Sequence, residues 1–269
     1  MPTARIFAQI LFALGLMSFA SANGLGQPNP PTQATAAGMT DLSFDDEFTT
    51  SSTISPNGSG SYNWYATNFF NASATLPASG YSVQNGYLTI KTDDSGYSDG
   101  LATAAPGHTA QAWQHGYFEA SIRFNPAGNE GSAWPAFWSW SIEDATGQDN
   151  SNGTRGPYGE LDFMEAYPIR PKQIAIATTI HQWLNGYSVS QNSNNGPTIP
   201  PGTNFSQFHI YGCLWTPDKV VWYFDNKPVT TVLTGPGTPF TAIEQEHMFI
   251  ILGAGRNWPM DVDYVHVWQ

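Results

Sequence analysis

The sequence predicts an all-β protein, two antiparallel sheets packed face to face. Three observations carry this. Aromatic residues reach 14% while charged residues make up only 11%, and 26 Gly and 20 Pro supply turns, a balance that favours pleated strands over helices. Short apolar alternations of period two recur between turn signals, from "LSFDDEF" at 42–48 to "VDYVHVWQ" at 262–269. No long helical period and no internal repeat interrupts them. Ten or more strands without helices to cover a sheet leave a sandwich as the expected architecture.

Taken in order, the first 22 residues, "MPTARIFAQILFALGLMSFASA", have one Arg, an apolar stretch and a small-residue Ala-Ser-Ala end. That is the pattern of a secretory signal peptide, too short to span a membrane, and it predicts an extracellular or periplasmic protein. Residues 23–40, rich in Pro, Gly, Thr and Ala, read as a disordered leader. Residues 41–269 form one domain. Strands are expected in "YSVQNGYLTIKT", "HGYFEASIRFNP", "PAFWSWSIE", "ELDFMEA", "IAIATTIHQW", "FHIYGCLWT", "KVVWYFDN", "KPVTTVL", "HMFIILGAG" and "MDVDYVHVW". Asn85-Gly86 and Asp225-Asn226-Lys227 are hairpin turns. "TAIEQEH" has room for one or two helical turns. Two polar stretches, 144–159 and roughly 184–205, are too long for tight turns and read as loops.

The net charge of −12 repels phosphate backbones, so nucleic acid is excluded as a partner and a neutral substrate is favoured. The single cysteine, Cys213, cannot form an internal disulfide; in "HIYGCLWT" it reads as a buried thiol. No His or Cys cluster has metal-ligand spacing.

"GELDFMEA" at 159–166 is the anomaly. Glu160, Asp162 and Glu165 crowd into six positions of a chain poor in charge. On a regular strand Glu160 and Asp162 share a face and Glu165 points the other way. A β-bulge at Phe163 or Met164 restores Glu165 to that face. Two Glu bracketing an Asp then suit general acid and nucleophile roles, since clustered carboxylates drive their pKa values apart. A solvated acidic face or a calcium site remains the alternative from spacing alone. In "SAWPAFWSW", Trp134, Trp138 and Trp140 share one face of a strand, a platform for stacking sugar rings or a Trp-rich core strand.

"GELDFMEA" resembles the E-x-D-x-x-E signature of glycoside hydrolase family 16 in its bulged, laminarinase-like form; lichenase-type members lack the extra residue. "FDDEF", "HGYFEASIRF", "WPAFWSW", "FHIYGCLWTPDKVVWYFDNKPV" and "PMDVDYVHVWQ" resemble the same family in the same order. The resemblance implies a concanavalin-like jelly roll with a concave cleft, Glu160 as nucleophile, Asp162 as its assistant and Glu165 as acid/base. It implies that Trp134, Trp138 and His181 contact substrate. Laminarinase-like members often carry Trp-Pro just before the catalytic strand; here "GPYGE" stands there, and Tyr158 is expected in that sugar-contacting role. Arg123, Trp113, Trp183, His209 and Trp215 are further candidates. No cofactor is required. A structural calcium is implied, held by the Asp263 side chain and backbone carbonyls near Glu47 and Gly86; oxygen-only ligation suits that ion. The expected function is a monomeric, secreted, retaining endo-hydrolase of a neutral β-linked polysaccharide, β-1,3- or mixed β-1,3/1,4-glucan. The rivals are a non-catalytic lectin-like module, a transglycosylase, and hydrolases of galactan, xyloglucan or bacterial exopolysaccharide.

Overall fold

The computed structural model describes residues 27–55, 58–66, 78–91, 100–107, 111–124, 133–147, 156–170, 173–192, 199–255 and 258–269. The expected signal peptide lies outside them. Two eight-stranded sheets face each other. Numbered in chain order, one sheet runs β14 (Lys227–Leu233), β13 (Lys219–Phe224), β12 (His209–Thr216), β7 (Gly116–Phe124), β16 (Met260–Trp268), β5 (Tyr87–Ile90) and β4 (Tyr81–Gln84), with β1 (Leu42–Asp46) also paired to β16. The other runs β11 (Tyr187–Asn192), β10 (Gln173–Leu184), β9 (Tyr158–Arg170), β8 (Ala133–Ser141), β15 (Met248–Gly255), β6 (Leu101–Ala102), β3 (Trp64–Tyr65) and β2 (Ile54–Ser55). Apart from the short parallel pair β2–β3, the described ladders are antiparallel.

The period-two pattern sets the core. Phe118, Ala120, Ile122 and Phe124 of β7 point inward with Cys213 and Trp215 of β12. Phe137 of β8, Leu161, Phe163 and Met164 of β9, and Ile176 and Ile180 of β10 meet them from the second sheet. The burial of Cys213 matches its reading as a structural thiol. Asn85-Gly86 and Asp225-Asn226 form two-residue hairpin turns with positive φ at both positions, the conformation Asn and Gly tolerate.

Two expectations are corrected. Residues 27–40, expected to be disordered, are ordered. A short helix, α1 (Thr32–Ala36), seats the buried Ala34 against Tyr117, Leu214, Val221 and Trp268 on the outer face of the first sheet. Gln33 Nε2 donates to the Tyr117 hydroxyl at 2.6 Å and to Asn226 Oδ1 at 2.8 Å. The polar stretch from 184 is not all loop: a tight Asn185-Gly186 turn, again with positive φ, joins β10 to β11. The "TAIEQEH" segment forms a single 3-10 turn at Ile243–Gln245.

The feature that places the site is the irregularity in β9. Glu165 pairs with Ala136 of β8 and Met164 with Phe137, but Trp138 pairs with Asp162, so Phe163 is the extra residue of a bulge. The ladder to β10 shifts at the same place, between Ala177 and Thr179. Phe163 and Met164 both enter the core, the former stacked on Phe118 with ring centroids 5.0 Å apart. Two successive inward side chains return Glu165 to the face of Glu160 and Asp162. The Asp162 carbonyl, at the break in the ladder, accepts a hydrogen bond at 2.9 Å from Trp222 Nε1, which reaches across from β13 of the opposite sheet. Trp222→Phe removes this donor and leaves the buried carbonyl unpaired, with some loss of packing. The expected cost is about 2–4 kcal/mol in a denaturant titration.

Candidate active site

The bulge gathers the three acids on the open face of the second sheet. Asp162 and Glu165 are almost wholly buried, and Glu160 is partly buried. Each is held by defined donors. Trp183 Nε1 donates to Glu160 Oε2 at 2.6 Å. Trp134 Nε1 and the Tyr167 hydroxyl donate to the same atom of Glu165, Oε1, at 2.8 and 2.6 Å. His181 Nε2 lies 3.2 Å from Asp162 Oδ2. Its other nitrogen, Nδ1, is 2.6 Å from Ser190 Oγ on the edge strand. The ring is thus held on both sides, between Asp162 and Ser190.

Register explains the arrangement. His181 is directly opposite Glu160, and Thr179 opposite Asp162, on β10; Trp140 is opposite Glu160 and Trp138 opposite Asp162 on β8. Trp183, two residues from His181, shares its face, and the two rings stack at 5.5 Å. Tyr167, two residues beyond Glu165, shares that residue's face and lies 5.7 Å from the Trp134 ring. The triplet therefore sits between two aromatic groups: Trp134 and Tyr167 at Glu165, and Trp183 backed by Trp140 at Glu160. At 48% exposure Trp134 keeps a free ring surface for a ligand. Trp138 is partly exposed and meets Trp140 edge to face at 6.0 Å.

Burial governs the charges. Glu160 is pushed up to about 9, first by burial and then by the negative charge of Asp162, against the pull of His181 and the Trp183 donor. Asp162 is raised by burial and by the charge of Glu165, and it shares a hydrogen bond with Glu160. The two carboxyls thus hold a proton between them and titrate as a pair. The Tyr167 phenol is raised by burial and by Glu165, so it stays protonated and remains a donor. At the start of β9, the Gly159 N–H is taken by the buried Glu246 carboxylate at 2.6 Å, which fixes the backbone beside Glu160.

Several sequence-derived assignments move. Tyr158 is buried, stacked 6.5 Å from Trp183 at an interplanar angle of 13° and 5.2 Å from Trp140. It props the aromatic group from below and does not present its ring to a sugar. Trp183, a secondary candidate, is part-exposed beside Glu160 and takes that place. Trp113 and Trp215 are buried. Arg123 is bound to Asp261 at 2.8 Å on the other sheet, and His209 lies 2.9 Å from Asp225. None of these four joins the acids. Sequence reasoning missed Tyr167, Ser190 and Glu246; only Tyr167 left a signal, its two-residue spacing from Glu165.

Glu160, Asp162 and His181 bring ligand atoms within 4.8 Å of one another, but His181 is engaged on both nitrogens by Asp162 and Ser190. The expected calcium residues meet elsewhere. Asp46 of β1 pairs with Val265 and Leu88 of β5 with Val262, so β1 and β5 share one edge of β16 and leave a gap beside Asp263 and Tyr264. Glu47 follows β1 and Gly86 precedes β5, so both backbones border that gap. Asp263 is itself the extra residue of a bulge, between Val262↔Ile122 and Tyr264↔Ser121. Its carboxyl accepts from Ser121 Oγ at 3.4 Å and is raised by burial, with Glu47 adding to the shift. The Glu47 carboxylate is bonded through Oε1 to His266 Nε2 at 2.8 Å. An oxygen-only donor set with excess negative charge fits a hard cation.

The chain matches the family model of Glycosyl hydrolases family 16 over residues 70–264. It is 29% identical over 209 residues to the endo-1,3-1,4-beta-glycanase EglC of Rhizobium meliloti, covering 74% of this chain and 38% of that protein. It is 27% identical over 215 residues to ExsH of the same organism, also named an endo-1,3-1,4-beta-glycanase, covering 76% and 39%. The chain thus spans less than half the length of these relatives. Among solved structures, the laminarinase catalytic domain from Thermotoga maritima shares the fold, with a TM-score of 0.57 at 20% identity, covering 85% of this chain and 98% of that one.

A group whose folded pKa lies above its unfolded value keeps a proton that the unfolded chain releases. Glu160 therefore costs the fold stability as pH rises from its ordinary value of 4.5 toward about 9, and costs nothing below that range. Glu160→Gln removes the titration while keeping an acceptor for Trp183. Its stability is expected to equal that of the unsubstituted protein near pH ~4 and to exceed it by ~1–3 kcal/mol near pH ~8, read by denaturant unfolding across that range.

Proposed function

The chain belongs to glycosyl hydrolase family 16, and from that we propose that it is a retaining endo-hydrolase of a neutral β-linked glucan, with β-1,3 or mixed β-1,3/1,4 linkages. The observation that carries this reading is the bulge at Phe163, which sets Glu160, Asp162 and Glu165 on one open face between two aromatic groups. The names of the two Rhizobium relatives, both endo-1,3-1,4-beta-glycanases, support the choice of β-1,3 and β-1,4 linkages. A lectin-like module has no need for two Glu bracketing an Asp, each held by its own donors. The reading of residues 1–22 as a signal peptide supports secretion, and the protein is taken to act as a monomer.

In this mechanism a glucan lies along the cleft, with sugar faces on Trp134 and Trp183. Glu165 gives its proton to the glycosidic oxygen while the Glu160 carboxylate attacks the anomeric carbon; the C–O bond to the leaving sugar breaks and a glycosyl ester on Glu160 forms. The proton shared with Glu160 rests on Asp162 during the attack, and His181 steadies the Asp162 charge when that proton moves back. The Glu165 carboxylate then takes a proton from water, which attacks the same carbon from the side the leaving group vacated. The ester breaks, Glu160 is freed and the anomeric configuration is retained. Trp138 lines the floor opposite Asp162. When bound, calcium would be held by Asp263 with the backbones of Glu47 and Gly86, and would pin β1 and β5 to β16 without touching the reaction.

Two outcomes test this reading. Glu160→Ala and Glu165→Ala should each lose polysaccharide hydrolysis, measured as reducing ends released from a panel of neutral glucans. Glu165→Ala should still glycosylate with an activated aryl glycoside and, with azide, release the β-glycosyl azide; azide on Glu160→Ala should give the α-anomer. Full activity in both variants would remove the triplet from catalysis. For the metal, millimolar calcium should raise the thermal midpoint by about 3–8 °C relative to the chelator-treated protein, and Asp263→Ala should abolish the difference.

A further inference from the structure

Resting on the reading of Glu165 as the acid/base, we propose that Tyr167 is a positioning residue that decides which oxygen of Glu165 carries the catalytic proton. The argument begins with the Trp134 indole, which can only donate. Its Nε1–H therefore makes Glu165 Oε1 an acceptor, at 2.8 Å. The Tyr167 hydroxyl reaches the same atom at 2.6 Å. A carbonyl-type oxygen has two lone pairs and accepts two such bonds, whereas the hydroxyl oxygen of a carboxylic acid is a poor acceptor. Two donors converging on Oε1 therefore assign it the carbonyl role and put the acid proton on Oε2, where no hydrogen-bond partner is recorded among the described residues.

The assignment matters because a proton on Oε1 would point into the Trp134–Tyr167 pair and away from a glycosidic oxygen. The same two donors stabilise the carboxylate after the proton has left, when Glu165 must wait for water. They cover both halves of the reaction. Tyr167 reaches this place only through the bulge: its spacing of two from Glu165 keeps it on the cleft face, with its ring packed 5.7 Å from Trp134. Because that packing belongs to the ring and the hydrogen bond to the hydroxyl, Tyr167→Phe separates the two.

On polysaccharide, Tyr167→Phe is expected to lower kcat about tenfold with KM within about twofold, a fraction of what general acid catalysis supplies. On a dinitrophenyl glycoside, whose leaving group needs no proton, the rate of glycosylation should stay within about twofold of the unsubstituted enzyme. Added to Glu165→Gln, the change should have no further effect on polysaccharide. A raised KM at unchanged kcat would make Tyr167 a sugar contact and overturn the inference. So would equal losses on both substrates, the mark of a structural role, or full activity on polysaccharide. A Glu165→Gln variant that still hydrolyses polysaccharide would instead sink the acid/base assignment itself, so the two failures are distinguishable.

Discussion

The site depends on one hydrogen bond between the sheets, from the Trp222 indole to the Asp162 carbonyl. A bulge breaks a ladder, and a broken ladder deep in a sandwich leaves a backbone oxygen with no strand to bond. Trp222 supplies the missing donor from the opposite layer, and the rings of Phe118 and Phe137 close around Phe163. Once that irregularity is stabilised, the rest follows from parity. Leu161, Phe163 and Met164 build the core, while Glu160, Asp162, Glu165 and Tyr167 face outward. A regular strand of the same composition would have buried Glu165 in hydrocarbon, at a cost no fold of ordinary stability can absorb.

The same geometry explains how three acids coexist in so small a volume. None is neutralised by a lysine or arginine among the described residues. Glu160 and Asp162 share a proton, and each Glu accepts from an indole, which donates without carrying charge. The imidazole of His181 is held beside them, between Asp162 and Ser190. Neutral donors suit the proposed binding of an uncharged polymer: they hold the carboxylates in place while leaving their reactivity intact.

Much of this was legible in the sequence because it rests on period two. The alternation named the strands, and bringing Glu160, Asp162 and Glu165 to one face called for a bulge at Phe163 or Met164. What escaped had no periodic signature. β11 is an edge strand whose Ser188 and Ser190 line the cleft face while Tyr187 and Val189 are exposed on the back, so neither face shows the burial contrast that marks a strand. The docked leader depends on one small residue, Ala34, too slight to register as a hydrophobic period. Tyr158 and Trp183 are both aromatic and both near Glu160; that the first is buried and the second part-exposed is a matter of tertiary packing, which composition does not carry. Trp222 reads as an ordinary core residue, because a bond to a carbonyl sixty positions away leaves no local pattern.

The ordered leader closes the domain on itself. Asp41 and Gln269 exchange backbone hydrogen bonds, each at 2.9 Å, so the start of the first strand and the last residue lie side by side. In topological terms the folded unit is nearly a ring. A short linker joining these positions would leave the sandwich unbroken, and new ends could be opened at an exposed hairpin of the first sheet such as Asp225-Asn226. Because α1 lies on the outer face of the first sheet and the acids on the open face of the second, rearranging the chain's order there would leave the cleft itself undisturbed.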